Sequence, residues 1–155
     1  MSREKNDKEQ LVLKYLQKEY SENSQFYNFL GINIDKAYNG HAVQSMLVEK
    51  DKHTNLYGNA QGGVIMTIAD SCMSVAGGSL GKRIVTLSNS INFMRNVHAP
   101  AKIICEAVVI HNGRQTITMK AKVFDENNRI LSIMDGTFYV IGIFEEIAEI
   151  MQRPE

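Results

Sequence analysis

The sequence predicts an α+β domain in which a long antiparallel sheet curls around one central helix. The strongest observation is a very apolar run with helical spacing at residues 62–77, which two short strand patterns precede and three or four longer ones follow. The chain has 155 residues, of which 44% are apolar, and no linker or repeat. We therefore expect one compact domain.

The N-terminal part of the chain predicts two helices and a hairpin. In residues 3–20 apolar side chains recur at helical spacing among charges of both signs, which indicates an amphipathic surface helix. A serine start and a glycine stop in "SQFYNFLG" predict a second, short helix at residues 24–31. In "INIDKAYNGHAVQSMLVEK" apolar residues alternate on both sides of Asn39-Gly40, a strong signal for two strands joined by a tight turn.

The central helix should be buried on nearly all sides, because apolar residues cover most of its circumference. Strands are predicted in "RIVTLSNSINFMR", "KIICEAVVIHN", "QTITMKAKVFD" and "RILSIMDGTFYVIG". The tail "IFEEIAEIMQRPE" is compatible with a short helix or a frayed end. We divide the chain into an N-terminal helical extension (1–30), the main domain (31–143) and a C-terminal tail (144–155).

Composition excludes several classes of partner. The 17 basic and 17 acidic residues cancel, so no net field draws the protein to nucleic acid or to an anionic membrane. No apolar run is long enough to span a bilayer, and the charged start "MSREKNDKEQ" does not resemble a secretory signal. We expect a cytoplasmic protein in which Cys72 and Cys105 are reduced core residues.

Several catalytic motifs are absent. "AGGSLGKR" lacks the first glycine and the hydroxyl residue of a phosphate-binding loop, and it is better explained as a glycine stop after a helix. The four histidines do not have the spacing of metal ligands. There is no GxSxG motif, and neither cysteine has the setting of an activated nucleophile. We expect no metal, no cofactor and no covalent serine or cysteine chemistry.

A glycine pair at the start of the central helix predicts an anion-binding site. Gly62 and Gly63 leave backbone N–H groups unpaired at the positive end of the helix dipole, without side chains to block them. Asp70 follows Gly62 by eight residues, which places it about 12 Å further along the helix axis. One reaction centre can use both the Gly62 N–H and the Asp70 carboxylate only if a second copy of the helix runs antiparallel beside the first. This predicts a two-fold dimer with two shared sites.

Asp70 also has two polar neighbours on its helix face, Thr67 and Ser74, and Gly63 lies on the same face two turns back. A carboxylate in such a stripe is suited to act as a base or a nucleophile. The helix pattern alone leaves another interpretation open, in which Asp70 hydrogen-bonds a backbone group or a hydroxyl at a subunit interface.

The stretch "HTNLYGNAQGGVIMTIADSCMSVAGG" resembles the motif of hotdog-fold acyl-CoA thioesterases of the phenylacetate-degradation (PaaI-like) branch. That motif is H-x-N-x-x-G-x-x-H-G-G followed by a helix with an aspartate. "TLSNSINFMRNVHAP", "EAVVIHNGRQTITMKAKVFDENNRIL" and "DGTFYV" resemble the rest of the domain, so the similarity covers about residues 31–140. The resemblance implies a hotdog fold and hydrolysis of an acyl-CoA to a free acid and CoA.

The resemblance also implies roles for individual residues. Asp70 is the carboxylate that activates water or attacks the thioester carbonyl, and Asn55 helps to orient the water or the carboxylate. The Gly62 N–H polarises the carbonyl from the opposite subunit, with Gly63 and Ser74 lining the substrate site. Thr86 matches a hydroxyl position of the pocket, although it is also compatible with an ordinary strand threonine.

One position departs from the motif, since Gln61 replaces the histidine of H-G-G. Glutamine can donate a hydrogen bond but cannot carry a proton at neutral pH, and an exposed helix-entry residue is the alternative. Arg95, Lys82 and Arg83 are the nearest basic candidates for the phosphates of CoA, unless they are ordinary solvated charges.

Two functions from different classes remain. The first is an acyl-CoA thioesterase assembled as a homodimer or a dimer of dimers. The second is a non-catalytic acyl-CoA binding or sensing module on the same fold, which the glutamine at position 61 and the N-terminal extension favour. A dehydratase on the related fold is disfavoured, because no Asp/His pair is placed at a strand-to-helix junction.

Overall fold

The computed structural model describes residues 3–153, with side chains from residue 5 onward. Residues 1, 2, 154 and 155, at the ends of the predicted extension and tail, lie outside the described residues. The elements in chain order are α1 (Arg3–Asn23), α2 (Gln25–Leu30), β1 (Asn33–Tyr38), β2 (His41–Val48), α3 (Lys50–His53), α4 (Gly62–Gly78), β3 (Lys82–Phe93), β4 (Ala101–Asn112), β5 (Thr116–Asp125), β6 (Ile130–Ile143) and α5 (Glu145–Gln152).

The six strands form one antiparallel sheet in the order β1-β2-β4-β5-β6-β3. The apolar helix α4 packs on this sheet and contacts every strand. This arrangement confirms the predicted α+β architecture. The order also leaves β3, a strand of 12 residues, at one edge of the sheet, where it pairs with β6 alone among the described strands.

Local chemistry explains where the predicted N-terminal elements begin and end. The Ser24 side chain accepts a hydrogen bond from Tyr27 N at the start of α2, and Gly31 ends the helix in the left-handed conformation. Asn39 and Gly40 have φ angles of 51° and 82°, as the tight turn between β1 and β2 requires. The short helix α3 was not predicted, and the tail, left open above, forms α5.

The prediction that α4 is buried on nearly all sides is wrong for the single chain. Its sheet-facing residues, including Ile65, Ile68 and Cys72, are fully buried. The stripe that carries Thr67, Asp70 and Ser74 is only half-buried. The sheet covers one side of a helix and cannot cover the opposite side, so a partly polar stripe remains open.

The N-terminal helix α1 belongs to the same core as the sheet and α4. Val12 and Leu16 are fully buried. Leu16 lies so close to the end of α4 that a Cβ added at Gly78 would be 3.2 Å from Leu16 Cδ2. None of the helices in residues 3–153 is long and apolar enough to cross a membrane. Cys72 and Cys105 are buried free thiols, as predicted.

Replacing Leu16 with alanine is expected to lower the free energy of unfolding by about 2–5 kcal/mol, because it removes a buried side chain between α1 and α4. Denaturant unfolding measures the change. Leu11→Ala is the matched control, since Leu11 is 40% exposed on the same helix and its removal should cost much less. Equal losses in the two variants would contradict the packing described here.

Candidate active site

Asp70 lies in the middle of α4, and two side chains from β3 bind the same oxygen of its carboxylate. Thr86 Oγ1 donates to Asp70 Oδ1 at 2.8 Å, and Asn89 Nδ2 donates to Asp70 Oδ1 at 2.7 Å. Asp70 Oδ2 makes no hydrogen bond to any described residue. The β3 donors therefore fix the orientation of the carboxylate and leave its second oxygen available to a bound molecule.

A bulge in β3 allows Thr86 and Asn89 to face the helix together. Residues three positions apart point to opposite faces of a regular strand. The register between β3 and β6 shifts between Thr86 and Ser88, which resets the alternation. The sequence predicts Thr86 as a site residue but not Asn89, because a strict alternation places Asn89 on the outer face of the strand.

A cavity of about 620 Å³ lies over the open stripe of α4 and contains Asp70. It brings together four of the predicted site residues, Asp70, Gly63, Ser74 and Thr86, with the unpredicted Asn89. The opposite wall comes from the N-terminal segment and includes Tyr20, Phe26 and Tyr27. None of these three residues was predicted to line the site.

The two hydroxyl groups predicted to accompany Asp70 on α4 bind the helix backbone instead. Thr67 Oγ1 donates to Gly63 O at 2.8 Å, and Ser74 Oγ donates to the backbone oxygen of Asp70 at 3.1 Å. A hydrogen bond from the hydroxyl to the backbone carbonyl four residues earlier is common for Ser and Thr within helices. The Asp70 carboxylate consequently takes its hydrogen bonds from β3 and not from its own helix.

The start of α4 leaves backbone N–H groups without an acceptor among the described residues. The carbonyl of Gln61 accepts the N–H groups of Val64 and Ile65, at 2.9 and 3.3 Å. The N–H groups of Gly62 and Gly63 have no acceptor among the described residues. A Cβ at Gly63 would meet nothing within 4 Å, and one at Gly62 would lie 3.4 Å from the ring of Phe93. The helix start therefore offers two N–H groups that have no acceptor among the described residues and no glycine side chain beside them.

Asn55 lies outside the cavity and shapes the loop that leads to α4. Its Oδ1 accepts hydrogen bonds from Tyr57 N and Asn59 N at 2.9 and 3.2 Å, which closes a turn. Gln61 is exposed, and its side chain does not cap α4. Within one chain, neither residue touches Asp70.

His53 anchors the same loop from a buried position. Its Nδ1 accepts a hydrogen bond from Glu49 N at 2.9 Å, and its carbonyl oxygen accepts one from Gln61 N at 2.8 Å. Desolvation by burial lowers the pKa of His53, so the ring stays neutral at physiological pH. His53, the first histidine of the motif, thus holds Gln61, the residue that precedes Gly62 and Gly63.

The three basic residues predicted to bind phosphate lie outside the cavity and contact other parts of the protein. Lys82 Nζ donates to Gly113 O at 2.6 Å, and the Arg83 guanidinium lies 5.4 Å from the ring centroid of Phe144. Arg95 Nη1 donates to Ile130 O at 2.9 Å and is otherwise exposed. Lys82 and Arg83 lie near the C-terminal end of α4. Arg95 lies just after β3, two residues beyond Phe93.

The aromatic wall of the cavity is uncharged. Burial raises the pKa of Tyr20 well above its usual value, with the Tyr27 hydroxyl and the Asp70 carboxylate adding to the effect. Burial likewise raises the pKa of Tyr27 to about 12. Within the described residues no group of three His, Cys, Asp or Glu side chains is placed to hold a metal ion.

Comparisons with known proteins agree with this geometry. A sequence model of the thioesterase superfamily matches residues 57–132, which include α4 and β3. The acyl-coenzyme A thioesterase PaaI of Escherichia coli is 27% identical over 121 residues, 78% of this chain and 86% of the relative. A solved structure of E. coli PaaI has a TM-score of 0.80 at 25% identity and covers 85% of this chain and 95% of its own.

Two further solved structures are informative. An asparagine-to-aspartate variant of the phenylacetic acid degradation protein PaaI from Thermus thermophilus is 30% identical, covers 74% of this chain and 96% of its own, and has a TM-score of 0.69. A hypothetical thioesterase from Streptococcus pneumoniae, solved with coenzyme A, is 29% identical, covers 73% of this chain and 88% of its own, and has a TM-score of 0.70.

The fold and these similarities define a hotdog-fold hydrolase of thioesters. The chain belongs to the thioesterase superfamily, in its PaaI-like branch. Structures of the S. pneumoniae thioesterase also include an aspartate-to-alanine and a threonine-to-alanine variant, whose altered positions are separated by the same 16 residues as Asp70 and Thr86.

Proposed function

We propose that this protein hydrolyses acyl-CoA to a free acid and CoA, with Asp70 as the catalytic carboxylate. The observation that carries the proposal is the Asp70 carboxylate in the wall of a cavity of about 620 Å³, held by Thr86 and Asn89 with Oδ2 unengaged by any described residue. The similarity to the E. coli acyl-CoA thioesterase and to the CoA-bound S. pneumoniae protein supports the substrate class.

In the reaction we propose, Asp70 Oδ2 accepts a proton from water as the water oxygen attacks the thioester carbonyl carbon. The resulting oxyanion collapses, the carbon–sulfur bond breaks and the CoA thiolate leaves with the proton from Asp70. Direct attack of the carboxylate, followed by hydrolysis of the mixed anhydride, gives the same products and uses the same oxygen. Thr86 and Asn89 stabilise the carboxylate in the attacking orientation in either case.

The oxyanion donor in this proposal comes from a second copy of the chain. Gly62 and Asp70 on one helix are about 12 Å apart and cannot act on one carbonyl group. In a two-fold dimer with antiparallel α4 helices, the free Gly62 N–H of one subunit lies at the reacting carbonyl beside Asp70 of the other. Each dimer then contains two equivalent sites.

The exposed edge of the sheet supports this assembly. Strand β3 offers unpaired backbone groups along its free side, a template for pairing with another strand. Two copies joined antiparallel along β3 would have their α4 helices antiparallel on the same face of one continuous sheet. Exposed apolar side chains near the α4 N-terminus, among them Tyr57 and Phe93, would gain cover from a partner.

The remaining residues have subsidiary roles in the proposal. Asn55 and Gln61 lie on the loop that enters α4, so they would meet substrate or water together with the Gly62 end of the helix. Gly63 and Ser74 line the acyl-CoA site. Arg83 and Arg95 are the exposed members of the three basic candidates for the phosphates of CoA, and all three, with Lys82, have protein contacts that they would have to leave.

A panel of aryl, short-chain and long-chain acyl-CoA substrates tests this function, with released CoA measured as a free thiol. We expect turnover of at least one substrate class well above the rate in buffer. Calorimetric titration of the same compounds runs in parallel. Tight binding without thiol release would contradict hydrolysis and favour the sensing module that the glutamine at position 61 left open.

A further inference from the structure

The cavity that contains Asp70 is closed on one side by residues that lie outside the thioesterase match. The matched region begins at residue 57, whereas Tyr20, Phe26 and Tyr27 come from the end of α1 and from α2. These residues line the same cavity as Met66 and Asp70 of α4. The N-terminal helices therefore supply one wall of the proposed acyl site.

This wall combines two packed rings with one ring that has few contacts. Tyr20 and Tyr27 stack edge to face at 5.4 Å between ring centroids, and Tyr27 is buried. The Ser24 cap and the Gly31 stop fix the two ends of α2. Phe26, in contrast, is 61% exposed although its side chain lines the cavity. A bound apolar group would therefore cover the Phe26 ring without displacing packed core residues.

We propose that Phe26 determines the length of acyl group that the site accepts, because its ring limits how far an apolar chain can extend through the cavity from Asp70. The proposal rests on the acyl-CoA hydrolysis proposed above. An acyl group that reaches Phe26 buries its own surface and that of the ring, whereas a longer chain meets the ring and must turn out into water. The preferred substrates are thus acyl groups whose apolar part ends at this wall.

Two phenylalanines on α2 provide a matched pair for the test. Phe29 has the same 61% exposure as Phe26, but it does not line the cavity. Both rings are mostly in solvent, so alanine at either position should leave the fold intact. Phe26→Ala opens the cavity, Phe26→Trp shortens it, and Phe29→Ala controls for the general loss of an exposed ring.

The experiment measures binding of non-hydrolysable thioether analogues of acyl-CoA, in a series of increasing chain length, by calorimetry. In wild type, affinity should rise by about fourfold per buried methylene and then level off. Phe26→Ala should move the plateau to longer chains and Phe26→Trp to shorter ones, while Phe29→Ala keeps the wild-type profile. An unchanged plateau in both Phe26 variants, or an equal shift in Phe29→Ala, would overturn the proposal.

Turnover of the matching thioesters separates this inference from the proposed function. A plateau that shifts in the Phe26 variants without any thiol release would leave the role of Phe26 standing and remove the hydrolase mechanism. Normal turnover with no change in chain-length profile would leave hydrolysis standing and remove the role of Phe26.

Discussion

Replacing Asp70 with asparagine is expected to lower kcat for acyl-CoA hydrolysis by about 10²–10⁴-fold, the range that a positioned general base contributes. Asparagine has nearly the same shape but cannot accept the proton of the attacking water, nor attack the carbonyl itself. Steady-state release of CoA with the best substrate of the panel measures the loss.

The conservative nature of this change provides its own control. The amide oxygen of asparagine can still accept the hydrogen bonds of Thr86 and Asn89, which reach one oxygen of the native carboxylate. Thermal stability, oligomeric state and analogue binding should therefore stay near wild-type values. A variant that is folded and turns over substrate at the wild-type rate would remove Asp70 from the mechanism.

Replacing Gly62 with proline is expected to lower kcat by about 10²–10³-fold, the usual effect of losing one oxyanion donor. Proline has no N–H, yet it is well tolerated at the first position of a helix. The preceding residue already has the backbone that proline requires, since Gln61 lies at φ −60° and ψ 133°. The change thus deletes a single donor from the helix end.

Gly62→Ala is the matched control for the proline variant. It retains the N–H and adds a Cβ at ordinary contact distance, 3.4 Å from the Phe93 ring. Kinetic comparison of the two variants isolates the contribution of the donor. If the alanine and proline variants lose activity to the same extent, crowding beside Phe93 is the cause and the oxyanion role of Gly62 is wrong.

Local signals predicted the main elements well because those elements depend on local chemistry. Alternating residues around Asn39-Gly40, the Ser24 cap and the apolar run of α4 each specify a conformation within a few residues of sequence. The short helix α3 was missed, since its four residues, KDKH, carry no apolar period.

The candidate site was predicted less completely because its contacts depend on tertiary packing. The bulge between Thr86 and Ser88 turns Asn89 toward Asp70, and no residue pattern in the sequence of β3 predicts it. The open stripe of α4 and the aromatic wall opposite it depend on how the N-terminal helices dock, and periodicity does not predict docking. Spacing within the motif likewise could not reveal that Asn55 Oδ1 closes a turn.

In the proposed dimer, each site combines Asp70 of one subunit with the Gly62 N–H of the other. Subunit complementation tests this sharing of sites, using heterodimers of an Asp70→Asn chain and a Gly62→Pro chain isolated with two affinity tags. One site of each heterodimer then has both native groups and the other has neither. We predict recovery of about half of the wild-type activity per dimer, far above either parent homodimer. If both groups acted within one chain, every site would carry a lesion, and heterodimers no more active than the parents would rule out sites shared between subunits.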